Sequence, residues 1–584
     1  MSPAPTAPGA LMNASWSGSY GRAFTYTTTA RCSVRPPPAA FATGAPPSAT
    51  KCWLAASRRD TVRGMSITHI IVQARLAWAA AIALSLPAAG APPAAGRSLP
   101  RAPIATTEPC ATATGDARAV LERAVRAAGI PRAERRVLRY EFSDDISQNY
   151  QSDRTYPPFL TLQWGGMFYV DPASRVQRLE ERGFGFGHHA ERPFILLHGE
   201  RATYVVRDSS LVPNAGGHAL SLRSRPLDAW TVLADWRAAP DARVVARCIY
   251  RDYPRLVLER VTPAGPERLY VDPKSGLPVK LDRREPHYLW GDVHAEYVWT
   301  NWLLRDGVRV PVAGFRLVDG EVEIARTVGP IALVATDSAP SLALPADAPA
   351  MPVRTPPFPA PDTVRVGSST FLLANRAYTN VVTLQRDTVW VLDAQLGEAR
   401  AREDAQWIAR LFPGRHPVAL VVSDLAWPHI AGVRYWVARG ATVYSQPSNE
   451  AFLRRVVDRR WTLEPDTLER VRRAHPAAAR LRFHAVRDSL RLAGGAVTLH
   501  PIDGLGSEGA LMAWIPAERF LWAGDYVQDV SEPTTYATEV VAAARRAGIT
   551  PERVAAMHLK LTPWSTVVSV NDAAAEGSAV GATR

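Results

Sequence analysis

Between Ala335 and Pro361 the chain reads ATDSAPSLALPADAPAMPVRTPPFPAP, a run with no apolar periodicity and with proline too frequent for helix or central strand. It divides the sequence into two stretches that obey different rules. Before it, short segments alternate in the period of a strand; after it, strands alternate with helices. At 584 residues the chain has length for two or three domains, each with a core of its own. The reading is an α+β protein with an antiparallel β domain over 115–334, a linker over 335–362, a second domain over 363–570 and a disordered tail over 571–584.

In the first stretch, DARAVLERAVRAAG places Val120, Leu121, Val125 and Ala128 on one face of a helix. Then come RRVLRYEF, FLTLQW, GMFYVD, ATYVVRD, ARVVARCIY, RLVLERV, RLYVD, LPVKLD, AEYVWTNWLL and VRVPVAGFRLV. Turn residues such as Asp171-Pro172, Pro263-Ala264-Gly265 and Asp306-Gly307 separate them. This predicts an antiparallel meander with one helix against it. In the second stretch TVWVLDA, REDAQWIARLF, PVALVVSD, AGVRYWVARG, ATVYSQP and NEAFLRRVVD alternate strand with helix, as do later segments to RVAAMHLK, and a layered α/β domain is expected. ALVVSDLAWPHIAGVRYWVARGATV, Ala419 to Val443, is the segment of interest: a buried strand over Ala419–Val422, a loop, an amphipathic helix and a second strand opening at Thr442. Its loop carries a single histidine, His429.

The net charge of +13 does not indicate a polyanion partner. Residues 1–91 hold eight basic residues against Asp60, and the remaining +6 is thinly spread without a basic stripe, so nucleic-acid binding is not expected. Residues 1–64 are rich in Pro, Ala, Ser and Thr and read as a disordered extension or a misplaced start. From Met65, Arg75 precedes an apolar core from Leu76 to Leu86, followed by Pro87 and Ala89-Gly90-Ala91. That core of about 11 residues is too short to span a bilayer and has the order of a secretory signal over 65–91, with 92–114 a linker. An exported, periplasmic or extracellular protein without a transmembrane segment is the expectation; the bland alternative is an extension followed by a buried helix. Cys32 and Cys52 lie in the prefix, which leaves Cys110 and Cys248 free to pair or to stay apart.

YVDPKSGLPVKLD, Tyr270 to Asp282, followed by DGVRVPV, Asp306 to Val312, resembles the paired signature of outer-membrane lipoprotein-sorting and carrier-like domains. The resemblance implies a curved antiparallel sheet that shelters an apolar ligand. Physically, Asp272, Pro273 and Gly276 make a turn and Leu277-Pro278 starts the returning strand.

Residues 364–565 resemble the metallo-β-lactamase superfamily. AYTNVVTLQRDTVWVLDA matches its opening hairpin, GATVYSQPSNEAFL the step after the first metal loop, and ALMAWIPAERFLWAGD the segment ending in the bridging aspartate. The resemblance implies an αββα sandwich. The family's His-x-His-x-Asp-His loop falls on Asp424, Ala426, Pro428 and His429, with Gly432 in place, and its next histidine falls on Gly506. Asp525 and His558 fill the last two positions. One ion's set is thus reduced to Asp424 at most, while the other retains His429, Asp525 and His558, three ligands with an open position, to which Asp424 adds an oxygen. A catalytic role for Asp525 and His429 around one Zn2+ or other divalent ion is implied, without the water-orienting carboxylate that Pro428 replaces.

Beside this stands the bland reading of each residue: His429 packing at a helix start, Asp525 capping the segment after Gly524, His558 a satisfied core histidine. His188-His189 after GFGFG reads as a loop, and His500 and Asp503 have no ligand spacing. Two functions remain: a divergent single-ion hydrolase of an ester or amide, or a non-catalytic protein that binds an apolar or envelope-derived ligand.

Overall fold

The first helix, Ala117–Ala128, starts at Asp116, whose carboxylate accepts from Ala119 N, and ends at Gly129 in the left-handed region. Leu121, Val125 and Ala128 are buried as their spacing predicts, and Val120 is half-buried. The computed structural model describes residues 109–130, 136–147, 161–185, 188–189, 194–207, 209–351, 361–375, 378–504, 508–528, 530–531 and 533–581. The expectations for 1–64, for the signal segment 65–91, for most of 92–114 and for Gly506 lie outside those residues. No described helix is long and apolar enough to cross a membrane.

The helix lies against an antiparallel sheet of 15 strands. From Arg243–Tyr250 to Glu321–Ala335 each strand pairs with the next. Glu321–Ala335 then pairs with Arg136–Ser147, which leads on through Thr161–Asp171 and Val176–Gly185 to Ser210–Pro213. At the opposite edge Cys110–Thr112 pairs with Arg243–Tyr250, setting Cys110 across from Cys248, and the two form a disulfide. Asp272 makes the expected turn: its carboxylate accepts from Lys274 N and Ser275 N, and Gly276 takes φ 77° before the strand Pro278–His287.

Three expectations are corrected by the sheet. The described part of FLTLQW, from Thr161, and GMFYVD are one strand, Thr161–Asp171, because Gly165-Gly166 is not a turn: a side chain on Gly166 would collide with the Glu180 carbonyl of the next strand. His188-His189 is not a loop but a two-residue strand paired with Val176–Gly185. The sheet also carries more than one helix: Ala215–Ser224 and Ala229–Arg237 add to the first. Ala229–Arg237 buries Trp230, Thr231, Val232, Leu233 and Trp236, so it is apolar nearly all round and shows no one-sided stripe.

The second region has two further sheets. The first runs Asp362–Arg365, Thr370–Ala374, Thr379–Gln385, Thr388–Leu392, Val418–Val421, Thr442–Ser445 and Arg482–Ala485, antiparallel at first and parallel from Thr388–Leu392 on. The second has six strands from Leu490–Leu492 to Thr562–Pro563. Strand alternation sorts the apolar residues into layers. Trp390, Leu392 and Val421 pack with Leu499, Ala513 and Trp522 between the sheets. Val389, Val391 and Leu420 pack outward on Ala401, Ile408, Trp436 and Leu453 of three helices, and Met512, Leu521 and Val554 pack outward on Val540 and Val541 of Thr535–Arg546. The order is helix, sheet, sheet, helix. The helix expected to be amphipathic after the His429 loop is Val433–Ala438, buried on all faces from Val433 to Val437.

The proline-rich connection does not run free at its start: Leu342, Leu344 and Met351 pack on Leu197, Ala202 and Tyr204 of the first sheet. The two regions also share a core. Leu289, Trp290, Val293 and Val318 of the first sheet join the outer helical layer of the second region. Asp292 secures the junction, accepting from Thr462 N at 2.8 Å, Leu463 N at 2.9 Å and Arg284 at 3.1 Å. Asp292→Ala removes these bonds from a nearly buried carboxylate and is expected to cost about 2 kcal/mol. Urea unfolding monitored by tryptophan fluorescence checks this, and an unchanged midpoint would refute it.

Candidate metal centre

The strand Thr388–Leu392 is fixed by its alternation, and the residue after it, Asp393, turns into the left-handed region at φ 71°. The turn drives its carboxylate under the loop that leaves Val418–Val421. Asp393 is fully buried and accepts four hydrogen bonds: from Ser423 N at 2.8 Å, Ser423 Oγ at 2.7 Å, Trp522 Nε1 at 2.9 Å and His429 Nδ1 at 3.0 Å. Trp522 comes from the second sheet, so one carboxylate ties both sheets to the loop.

His429 lies in the short helix Trp427–Ile430, where Pro428 occupies the first turn without losing a needed donor. The backbone after Asp393 cradles this helix: Ala394 N donates to His429 O, Leu396 N to Pro428 O and Gly432 N to Ala394 O. Gly432 passes so close that a Cβ there would stand 2.9 Å from the Ala394 carbonyl. Asp525 comes after Trp522 through Gly524, which sits at φ 60° against Ser423. Asp424 is buried in the loop and accepts from Ala426 N at 2.5 Å.

Asp424, His429 and Asp525 each present a ligand atom within 4.8 Å of the other two, and no other group of this kind gathers among the described residues. His558 stands outside that trio. Its Nε2 lies 3.6 Å from Asp525 Oδ1, its side chain is one-third exposed, and its ring is 5.1 Å from that of Tyr378. Of the four residues singled out, three converge closely and the fourth lies beside Asp525, outside the trio. His500 and Asp503 take no part. Ala426, one of the lost positions, supplies only its backbone.

The electrostatics are those of a site short of positive charge. Burial pushes Asp424 up to about 6; the Asp525 and Asp393 carboxylates add to this and His429 opposes it. Burial pulls His429 down, but Asp424, Asp393 and Asp525 together hold it well above its ordinary value. The Tyr526 phenol, buried and bonded to Asp424, is pushed well up by burial and by the same carboxylates. Even with His429 protonated, three carboxylates face one cation.

The donor set fits a divalent ion. With Nδ1 bonded to Asp393, His429 directs Nε2 toward Asp525 Oδ2, yet the separation is 3.9 Å, too long for a hydrogen bond. His429 Nε2 and Asp525 Oδ1 are both buried without a hydrogen-bond partner. A carboxylate behind an imidazole whose far nitrogen is free is how proteins orient a metal-binding histidine. Asp393, Ser423 and Trp522 were not recognised from sequence; the signal was an acidic residue closing the apolar run TVWVL.

A cleft of about 230 Å³ lies elsewhere, lined by Arg175, Arg225, Asp235, Arg260 and Arg283 among others. Its guanidinium groups are engaged with Glu200, Asp235, Glu267 and Glu285, and it reads as a salt-bridged groove of the first region.

Neither a family model nor a curated protein matches this chain in sequence. Solved structures similar to it include the DIM-1 metallo-beta-lactamase, at 12% identity over 37% of this chain and 96% of that one, with a TM-score of 0.29. TMB-1 is 12% identical over 38% of this chain and 100% of its own, with a TM-score of 0.29. A metallo beta lactamase from Hirschia baltica covers 36% of this chain and 96% of its own at 12% identity, with a TM-score of 0.28. Likenesses at this level decide nothing about the chemistry of this chain, which rests on its own residues.

Proposed function

We propose that the second region is a hydrolase for an ester- or amide-type substrate that works with a single divalent cation, zinc by preference, held by Asp424, His429 and Asp525. The observation that carries this reading is the convergence of one ligand atom each from Asp424, His429 and Asp525 within 4.8 Å, with His429 Nε2 and Asp525 Oδ1 buried and without a hydrogen bond. When bound, such an ion lowers the pKa of a water toward neutrality and polarises a carbonyl.

The chain's residues do the rest. Asp393 fixes the tautomer and direction of His429; Trp522 and Ser423 fix Asp393. Asp424 is held by Ala426 N and Tyr526, which leaves little freedom for its carboxylate. His558 stands partly in solvent beside Asp525 and Tyr378, where it can meet a bound substrate. The cross-strand disulfide supports export, since such bonds persist in oxidising compartments, and the segment at 65–91 supports the same address.

Elemental analysis of the purified chain beside His429→Ala tests the proposal. Close to one equivalent of a transition metal in the wild type and its loss in the variant are expected, together with chelator-sensitive hydrolysis of activated esters. A chain without stoichiometric metal after reconstitution refutes it. The same scaffold would then be a ligand-binding protein.

A further inference from the structure

The hairpin joining Pro278–His287 to Gly291–Arg305 has an apolar tip, Tyr288-Leu289-Trp290, where turn chemistry favours polar residues. Its two aromatic rings have different partners. Trp290 meets the Phe452 ring at 5.1 Å, with the Arg455 guanidinium 4.3 Å from its own centroid, on the outer helices. Tyr288 stands edge-on to Trp427 at 5.1 Å, with the His287 ring stacked on it at 4.5 Å and the Arg223 guanidinium at 5.2 Å.

Trp427 opens the four-residue helix that carries His429 two positions later. A helix of that length closes a single turn, Ala431 N to Trp427 O at 2.9 Å, and has no stability of its own. Its orientation comes from what touches it: the 393–396 backbone, Asp393 on His429, the core around Ile430, and Tyr288 on the outward ring of Trp427.

We propose that Tyr288 is a positioning residue, and that the first sheet, through this hairpin tip, tightens cation binding at His429. This rests on the cation site proposed for the second region. Tyr288 acts through Trp427: it limits the rotation of the helix whose turn sets His429 Nε2 against Asp424 and Asp525. The first region is then part of the working site, which explains why an apolar turn is buried against this loop.

Cobalt(II) serves as the probe. The full chain is stripped with a chelator and titrated with cobalt while its visible d–d bands are recorded, in the wild type, Tyr288→Ala, Tyr288→Phe and Trp290→Ala. Tyr288→Ala is expected to weaken cobalt binding about tenfold and to alter the bands, as loss of outer support does for ligating histidines. Tyr288→Phe, which keeps the ring, should bind as the wild type does. Trp290→Ala should lower the unfolding midpoint and leave the bands unchanged. Should Tyr288→Ala not fold, Tyr288→Leu takes its place.

Wild-type affinity and bands in the alanine or leucine variant overturn the proposal, as does an equal loss of affinity in Trp290→Ala, which would make the effect one of general docking. A wild-type chain that takes up no cobalt overturns the cation site itself and this inference with it.

Discussion

Asp393→Ala is expected to destabilise the fold by about 4 kcal/mol and to weaken cation binding by roughly 10–100-fold, although Asp393 is no ligand. The reason is the number of donors it serves. Ser423 N, Ser423 Oγ, Trp522 Nε1 and His429 Nδ1 all end on one carboxylate with no access to water. Removing it leaves those donors buried and unpaired, and breaking a buried charged pair from one side costs about 3–5 kcal/mol. Asp393→Asn separates the two effects. The amide oxygen replaces one acceptor, but the amide nitrogen confronts donors, so an intermediate loss near ~2 kcal/mol is expected, with His429 free to turn. Urea unfolding gives the first quantity and cobalt titration the second. An alanine variant within about 1 kcal/mol of the wild type would show that the four bonds are not formed together in solution.

The site was legible in unequal parts, and the difference has a physical cause. Asp424, His429 and Asp525 could be placed because each closes a block of recognisable order, strand then loop then helix, and order survives when identities change. Asp393 could not: its role depends on a left-handed turn that points it at residues 30 and 129 positions away, and no local spacing records that. His558 was expected on the same footing as the others, yet of the three it lies near Asp525 and outside the close trio, since ring placement depends on the backbone after Met557 and not on position in the block order.

The fold divides in the same way. Amphipathic elements such as Ala117–Ala128 and the alternating strands were readable, because one face meets water. Ala229–Arg237 was missed for being buried on nearly every side, although Asp228 capping Thr231 N marked its start. Over the described part of 335–361 the structure has the end of the strand Glu321–Ala335 and one turn of 3-10 helix at Thr336–Ser338, and the proline-rich composition did not show that Leu342, Leu344 and Met351 would pack on the first sheet. The docking of the two regions was visible in principle: HYLWGD is an apolar hairpin tip, and such a tip is covered by something.

Arg316→Met is expected to cost about 4 kcal/mol at neutral pH and much less in acid. Arg316 is 1% exposed, in the middle of the first sheet, opposite Tyr297 in the strand register. It bonds Glu285 at 3.0 Å and Tyr297 at 3.2 Å and pairs with Glu323, itself buried. Burial works to raise the Glu285 carboxyl, but Arg283 and Arg316 outweigh it and hold the group at about 2 against an ordinary 4.5. A carboxylate depressed on folding adds stability that is fully present above its unfolded value and is lost as the pH falls through its folded one. For Glu285 the window runs from about 4.5 down to about 2, and the contribution is on the order of 3 kcal/mol. With Met at 316, Glu285 keeps only Arg283 and Glu323 loses its guanidinium, so both take up protons at higher pH and the variant sheds its penalty where the wild type begins to lose its advantage. Denaturant unfolding at pH 7 and at pH 4 should show the gap between the two chains narrowing by half or more. A gap that is the same at both values would mean that Arg316 contributes packing and not charge. Glu323→Gln in the Arg316→Met background then decides the matter from the other side: Glu285 keeps Arg283, so recovery of about 2 kcal/mol at pH 7 is expected if the Glu323 carboxylate, left without its guanidinium, is the source of the loss.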